Sequence, residues 1–406
     1  MTAPASQHPK FALTVALCFL VAVVEGFDLQ VMSAIGPMVR DELQLNASQL
    51  GVAFSATLIG LAIGATLGGY VSDRIGRKRV IVWSAFAMSL FTFATAAVGD
   101  YSMLFVARVL TGLSIGGAMP NTIVMITDSM KDHRKPSAAV VTLMLCGIPT
   151  GGIVAALASY VLAESVAWRG ILVFGGVFSL MIAIAAQAGL PDPTAAQTRK
   201  KSQQGLTAVL FGEGRALSTS LLWIITILSL ATVASLATWL PTLAVDRGLG
   251  VTRGFATLLA WNLGGVCGIL TVGKLCDLLG ARNALILAYL GMSAAFVLFT
   301  NVNSAAAYMI FSAVVNFFVA GSHYTVYGLS PRLYPPDGAG LGVGANMAIG
   351  RVGAILGPMT IGLFMHAGST GEQVMLGLVP LGVICAGCVL ALVIASHGKL
   401  DQPSEK

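Results

Sequence analysis

The sequence predicts an all-α membrane protein of twelve transmembrane helices arranged as two six-helix pseudo-repeats, and three observations carry the prediction. First, 56% of the 406 residues are hydrophobic and only 10% are charged, with a mean hydropathy of +0.85. Such a chain belongs in a bilayer rather than in water. Second, apolar runs near the ~20 residues that a spanning helix needs recur along almost the whole length, divided by short polar gaps. Third, GGYVSDRIGRKR and GKLCDLLGAR match in register at Gly69/Gly273, Asp73/Asp277, Gly76/Gly280 and Lys78/Arg282, each pair 204 residues apart. Four matches in register mark an internal repeat. A β-barrel is excluded, because the apolar runs are continuous and lack period-two alternation.

Turn signals place spans 1 to 6 near residues 11–36, 50–71, 79–98, 103–127, 137–160 and 168–189. A polar stretch at 190–217 follows, and spans 7 to 12 fall near 218–242, 254–276, 283–300, 305–329, 340–364 and 373–395. The domains are then an N-terminal half (1–189), a cytoplasmic linker (190–217) and a C-terminal half (218–406). The 47 glycines suit helices that approach closely in lipid, where no hydrophobic effect drives their association. Span 1 carries Glu25 and Asp28 within a long apolar run, so it is expected to stay as a helix rather than be cleaved as a leader.

Orientation follows from the basic residues. With the N-terminus inside, 17 Lys and Arg fall on the inner side and four on the outer, which puts both termini and the linker in the cytoplasm. The net charge of +6 is thereby a topology signal, and no nucleic-acid partner is expected. All six cysteines lie in or beside apolar runs, and no disulfide is assigned. The sequence holds no P-loop, zinc-protease motif, nucleophile elbow or metal-spaced Cys/His cluster. It therefore reads as neither an enzyme nor a holder of a metal or cofactor, and an ion gradient is the expected power source. A parallel six-plus-six repeat is the signature of halves that rock about a midplane site, which narrows the reading to a carrier.

Buried charges mark the pathway. Glu25 and Asp28 are three residues apart in VVEGFDLQ and share one helical face. An ionised carboxylate at the bilayer centre costs about 3 kcal/mol even on the lenient insertion scale, so such groups face a partner or a wet cavity. Asp28 lies about 13 Å below the outer end of span 1 and Arg108 about 9 Å below that of span 4, so the two are expected to meet. Arg351 sits about 16 Å from the inner end of span 11, near the midplane, where a guanidinium is a good fork for a substrate carboxylate. Around it His323, Tyr327, Trp239 and Asn262 offer stacking surfaces and hydrogen-bonding groups.

These segments also carry a family resemblance over nearly the full length. The G-x-x-x-D-R-x-G-R-K pattern at Gly69, Asp73, Arg74, Gly76, Arg77 and Lys78 resembles the signature between spans 2 and 3 of the major facilitator superfamily. EGFDLQ in span 1 is similar to the acidic motif of its aromatic acid/proton symporters. Further likeness lies in ARVLTGLSIGGAMPN (107–121), LMLCGIPTGG (143–152), WLP (239–241) and GRVGAILGP (350–358). Within that family the chain most resembles carriers of 3-(3-hydroxyphenyl)propionate.

The resemblance implies proton-coupled import of a small aromatic carboxylate across a bacterial inner membrane by a protein that works as a monomer. Asp28, Glu25 and Arg108 would couple protons, while Asp73, Arg74, Arg77 and Asp277 would gate the cytoplasmic side. Asp128 and Arg332 are again 204 apart and are expected to form an ion pair between the halves. Four residues depart from the family pattern: the position of Arg332 is usually acidic, that of His323 is commonly Gln, and Gly338 and Ala339 stand where a basic residue is common. Two rivals are a drug-efflux antiporter, whose longer Gly-Pro motif in span 5 is only partly matched by GIPTGG (147–152), and a transporter-like solute sensor.

Overall fold

A computed structural model describes residues 8–129, 140, 143–144, 146–191, 205–302, 304–335 and 338–396. Among them every long element is an α-helix, the form that satisfies each backbone N–H and C=O within its own segment when water is absent. The chain divides into two compact units, Met1–Arg199 and Lys200–Lys406. Unit 1 contains α1 (His8–Glu42), α2 (Ala47–Ile75), α3 (Arg77–Ala96), α4 (Tyr101–Ser129) and a helical run Gly147–Gly189. That run breaks at Ala167 (φ 52°, ψ −178°), so its arms are named α5 (147–166) and α6 (168–189).

Unit 2 opens with a six-residue helix, Leu206–Phe211, and continues through α7 (Ala216–Asp246), α8 (Val251–Leu279), α9 (Ala281–Thr300), α10 (Ala305–Leu329), α11 (Ala339–His366) and α12 (Gly371–Ala395). Among the described residues eleven helices are long and apolar enough to cross a membrane, and Gly147–Ala163 is a shorter apolar helix. The expected start of span 5, linker residues 192–204 and the side chain of Asp128 lie outside the described residues.

Two helices outrun their expected ends at proline. Pro37 and Pro241 stand inside α1 and α7, which continue to Glu42 and Asp246. In a packed membrane bundle the carbonyl that proline leaves free finds other partners, so the helix need not stop.

The repeat is a repeat of structure. The bounds of α2 and α3 recur 204 residues later as those of α8 and α9, and Tyr101–Ser129 recurs as α10 together with its terminal 3-10 turn, Ser330–Leu333. The α2/α3 corner is Gly76 (φ 90°, ψ 152°) and the α8/α9 corner is Gly280 (φ 81°, ψ 152°). A positive φ of this kind is one that side chains rarely adopt, which explains the glycine of both motifs.

Inside each unit, helices meet backbone to backbone. A Cβ on Gly60 of α2 would lie 1.9 Å from the Val109 carbonyl oxygen of α4, and one on Gly112 of α4 would lie 1.9 Å from that of Thr57. At the equivalent α8/α10 seam a Cβ on Gly264 would lie 2.1 Å from the Ala313 oxygen. The other long pairings repeat the device: a Cβ on Gly151 of α5 would lie 2.0 Å from Val23 O of α1, and one on Gly353 of α11 would lie 2.0 Å from Ile227 O of α7.

At one end of each unit an arginine joins three elements. In unit 1 Arg169 at the start of α6 bonds Glu42 at the end of α1 and donates to Val98 O at 3.0 Å. Glu42 also accepts from the Trp168 indole. In unit 2 Arg247, capping α7, donates to Val302 O at 3.2 Å and to Glu372 of α12 at 3.3 Å. Val98 and Val302 are equivalent by the repeat, yet acid and base have exchanged helices between the two clasps. Ala167, at a φ that disfavours side chains, delivers Trp168 and Arg169 to Glu42.

Two predictions follow from this packing. Gly112→Ala is expected to destabilise the protein by about 1–3 kcal/mol, whereas Gly387→Ala, with no atom within 4 Å of its Cβ, leaves thermal unfolding in detergent unchanged. Glu42→Arg should lower Tm by about 2–4 °C, and adding Arg169→Glu should recover part of that loss, since it restores the ion pair but neither the Trp168 nor the Val98 bond; no recovery would show that those two bonds, not the ion pair, hold the corner.

Candidate functional site

The repeat supplies an internal control. A residue present in one unit and replaced at the equivalent position of the other is not required by the shared fold. In α1, α3 and α4 the residues Glu25, Asp28, Thr92 and Arg108 correspond to Ser229, Thr232, Phe296 and Ser312. Conversely, His323 and Tyr327 of α10 correspond to Met119 and Ile123 of α4. Two clusters therefore stand out from the scaffold, one in each unit.

The first cluster is ionic and sealed. Asp28 and Arg108 are 0% exposed and Glu25 is 1% exposed, so no bulk water offsets their desolvation. Thr92 Oγ1 lies 2.7 Å from Asp28 Oδ1, and Ser179 of α6 approaches Oδ2 at 3.5 Å. The guanidinium of Arg108 reaches Asp28 as expected, but it donates from Nη2 to the main-chain oxygen at 2.8 Å. Among the described residues it makes no ion pair with the carboxylate, because Thr92 and Ser179 occupy that side. Arg108 Nε and Nη1 and Glu25 Oε1 are buried without any hydrogen-bond partner. A cluster with spare donors and acceptors can rearrange its bonds without first breaking stronger ones.

The second cluster is cationic and aromatic. Tyr327 and Tyr324 meet the His323 imidazole edge to face, with centroids at 4.6 Å and 5.3 Å. Arg351 of α11 is half-buried and within electrostatic reach of all three rings. A Cβ on the adjacent Gly350 would lie 3.0 Å from the Tyr327 hydroxyl and 2.8 Å from Thr226 Cγ2, so glycine lets Tyr327 lie against α11. Among the described residues the Arg351 guanidinium, the Tyr327 hydroxyl and the His323 imidazole make no hydrogen bond or ion pair. A guanidinium in such a place has its donors available to an anion.

The remaining expected residues are placed differently. Trp239 is fully enclosed and spends its indole N–H on Pro358 O at 3.0 Å, locking α7 to α11. Buried Asn262 donates to Leu258 O of its own helix at 2.9 Å. Asp73, Arg74 and Asp277 are exposed at the ends of α2 and α8, while Arg77 and Arg332 are half-buried. Arg74 bonds the Tyr70 hydroxyl and stacks on its ring at 4.3 Å. Residues not anticipated are Thr92, Ser179, and the Thr226–Asn346 pair, which bonds α7 to α11 at 2.8 Å. Hydroxyls and amides are too common in apolar spans for their presence alone to single these out.

Two copies of one helical unit, each burying unspent polar groups that its fold does not need, define a solute carrier of the membrane. The chain belongs to the major facilitator superfamily, whose family model matches residues 18–358 and 256–406. It is 32% identical to the 3-(3-hydroxy-phenyl)propionate transporter of Escherichia coli (strain K12) over 98% of both chains. It is also 28% identical to the 4-hydroxybenzoate transporter PcaK of Pseudomonas putida, covering 94% of this chain and 92% of that one. The gallate transporter of the same organism is 27% identical, with 96% and 92% covered. Among solved structures the nucleoside transporter NupG superposes with a TM-score of 0.74 at 14% identity, covering 94% of this chain and 98% of that one. A bacterial homolog of the human lysosomal transporter Spinster, inward-facing and occupied, gives 0.71 at 16% identity over 100% of both. At these identities the two structures speak to fold alone.

Proposed function

We propose that this protein imports a small aromatic carboxylate by proton symport, through alternating access of its two units. The observation that carries the reading is the unpartnered Arg351 guanidinium beside the free polar atoms of His323 and Tyr327. A carboxylate would take the guanidinium fork, and an aromatic ring would lie against the edges and faces of His323 and Tyr327. Trp239 and Asn262 would shape the surroundings. The relatives named for aromatic acids support this substrate class.

Proton coupling is assigned to Asp28, Glu25 and Arg108. An anion entering a negative-inside cell works against about 2.3 kcal/mol per 100 mV; a proton carried with it cancels that cost. Protonation of Asp28 would remove one charge from a cluster that has no water to screen it, making the two states of unit 1 electrostatically different. The protein is placed in a bacterial inner membrane and taken to work as a monomer, and the 17 to 4 distribution of basic residues supports both termini lying in the cytoplasm. On that side Asp73, Arg74, Arg77, Asp277, Asp128 and Arg332 would gate the pathway.

Whole-cell uptake of labelled 3-(3-hydroxyphenyl)propionate, 4-hydroxybenzoate and gallate tests the reading. Arg351→Gln is expected to raise KM by about 10- to 100-fold, and an unchanged KM would remove the guanidinium from the binding site. Asp28→Asn and a protonophore should each abolish accumulation; concentrative uptake that survives both would rule out symport through this residue.

A further inference from the structure

The Thr92 hydroxyl has more partners than protons. Its oxygen lies 2.7 Å from Asp28 Oδ1 and 2.8 Å from the Met88 main-chain oxygen one turn back on α3. A hydroxyl carries a single hydrogen, and the Met88 carbonyl can only accept. Thr92 and Asp28 are both 0% exposed, so bulk water does not complete the set.

Two arrangements satisfy these distances. With Asp28 ionised, Thr92 turns its proton to Oδ1. With Asp28 protonated, the acid O–H donates to Thr92 Oγ1, and Thr92 turns its own proton to Met88 O. The groups facing Asp28 bear this out. Arg108 from α4 holds the main-chain oxygen rather than the carboxylate, α6 offers the Ser179 hydroxyl, and Glu25 lies one turn away on α1 without a hydrogen bond. Among these, Thr92 makes the short contact to the titrating oxygens. At the equivalent of Asp28 and Thr92, unit 2 has Thr232 and Phe296, so the pair comes and goes together and the fold does not require it.

We propose that Thr92 is a positioning residue for the proton carrier: its hydroxyl rotor switches between Asp28 and the Met88 carbonyl, stabilising the ionised and protonated carboxyl in turn. This inference rests on Asp28 exchanging a proton, as the symport reading has it. Only rotation about the Cβ–Oγ1 bond separates the two arrangements, and no heavy atom moves. The proton on Asp28 arrives from the aqueous phase and returns to it; the proton on Thr92 never leaves its oxygen.

Infrared titration of the purified full-length protein tests this without a substrate. The carboxyl band that disappears in Asp28→Asn is first assigned to Asp28. In Thr92→Val both forms lose a bond, but the one to the charged carboxylate is the stronger, so the midpoint of that band is expected to rise by about one pH unit. The acid also loses its acceptor, so the C=O stretch should move to higher frequency. Thr92→Ser should keep both values of the parent protein, and Thr92→Ala serves where the valine variant does not fold. Midpoint and frequency unchanged in the hydroxyl-free variant, or a serine variant displaced as far as it, would overturn the proposal, as would the absence of any titrating Asp28 band. Symport itself is judged separately by the protonophore experiment, so loss of one reading does not disguise loss of the other.

Discussion

Everything else in the two units depends on helices touching through their backbones. In lipid, apolar side chains gain nothing by leaving the solvent, so association rests on van der Waals contact and on hydrogen bonds between helices. Glycine brings the carbonyl of one helix to the Cα of the next, as at Gly60, Gly112 and Gly264. Such a seam tolerates little sliding, because a shift by one residue would set side chains against backbone. Rotation of each helix about its axis is thereby set. On α1 the seam toward α5 includes Gly26, whose Cβ would lie 2.0 Å from Ile148 O. Asp28, two residues on and about 200° around the helix, is turned to the opposite side, where α3, α4 and α6 supply Thr92, Arg108 and Ser179. On α11 the same logic fixes Arg351 beside Gly350 and Gly353. The ionic groups point where they do because the glycines leave no other register.

That dependence explains what could be read in the sequence and what could not. Twelve apolar runs and a 204-residue repeat are properties of a line of residues; among the described residues eleven helices are long and apolar enough to span and one is shorter, and the bounds of α2, α3 and Tyr101–Ser129 recur at the same spacing. The Gly76 and Gly280 corners were legible for the same reason, since each is a local backbone demand. Helix ends at Pro37 and Pro241 were not, because whether proline terminates a membrane helix is decided by neighbours that the local sequence does not name. A break between spans 5 and 6 was expected between residues 160 and 168, and it falls at Ala167, where no glycine or proline marks the residue. What the local sequence does not name is the partner, Glu42, more than 120 residues away, that binds Trp168 and Arg169 just beyond the kink.

Within the candidate site the same division holds. Buried charges are rare enough in apolar spans that Glu25, Asp28, Arg108 and Arg351 announce themselves. Their partners do not. Arg108 and Asp28 were expected to pair through charge, and the helices do bring them together, but the bond falls on a main-chain oxygen. Which atom a guanidinium meets depends on side-chain directions and on competition from Thr92 and Ser179, and neither is visible before the helices are assembled. Trp239, attractive as an aromatic surface, is committed to holding α11 against α7.

The asymmetry between the units bears on mechanism more than any single distance. Both units share the α2/α3-type corner, recurring as α8/α9, and the glycine seams, and unit 2 builds them with Ser229, Thr232 and Ser312 where unit 1 has Glu25, Asp28 and Arg108. Hydroxyls return their hydrogen bonds to their own helix at little cost, as Thr232 does to Leu228 O. A sealed carboxylate and guanidinium with unmet bonds are costly by comparison. Stability therefore argues against keeping them, and the neighbouring unit shows that the fold can do without them. What they add is a charge state that one proton can change in a site with no water to absorb the change. A cluster with every donor and acceptor satisfied would resist that change; on the symport proposal Arg108 Nε and Nη1 and Glu25 Oε1, which lack partners, would be the slack that lets the cluster adopt a second set of bonds.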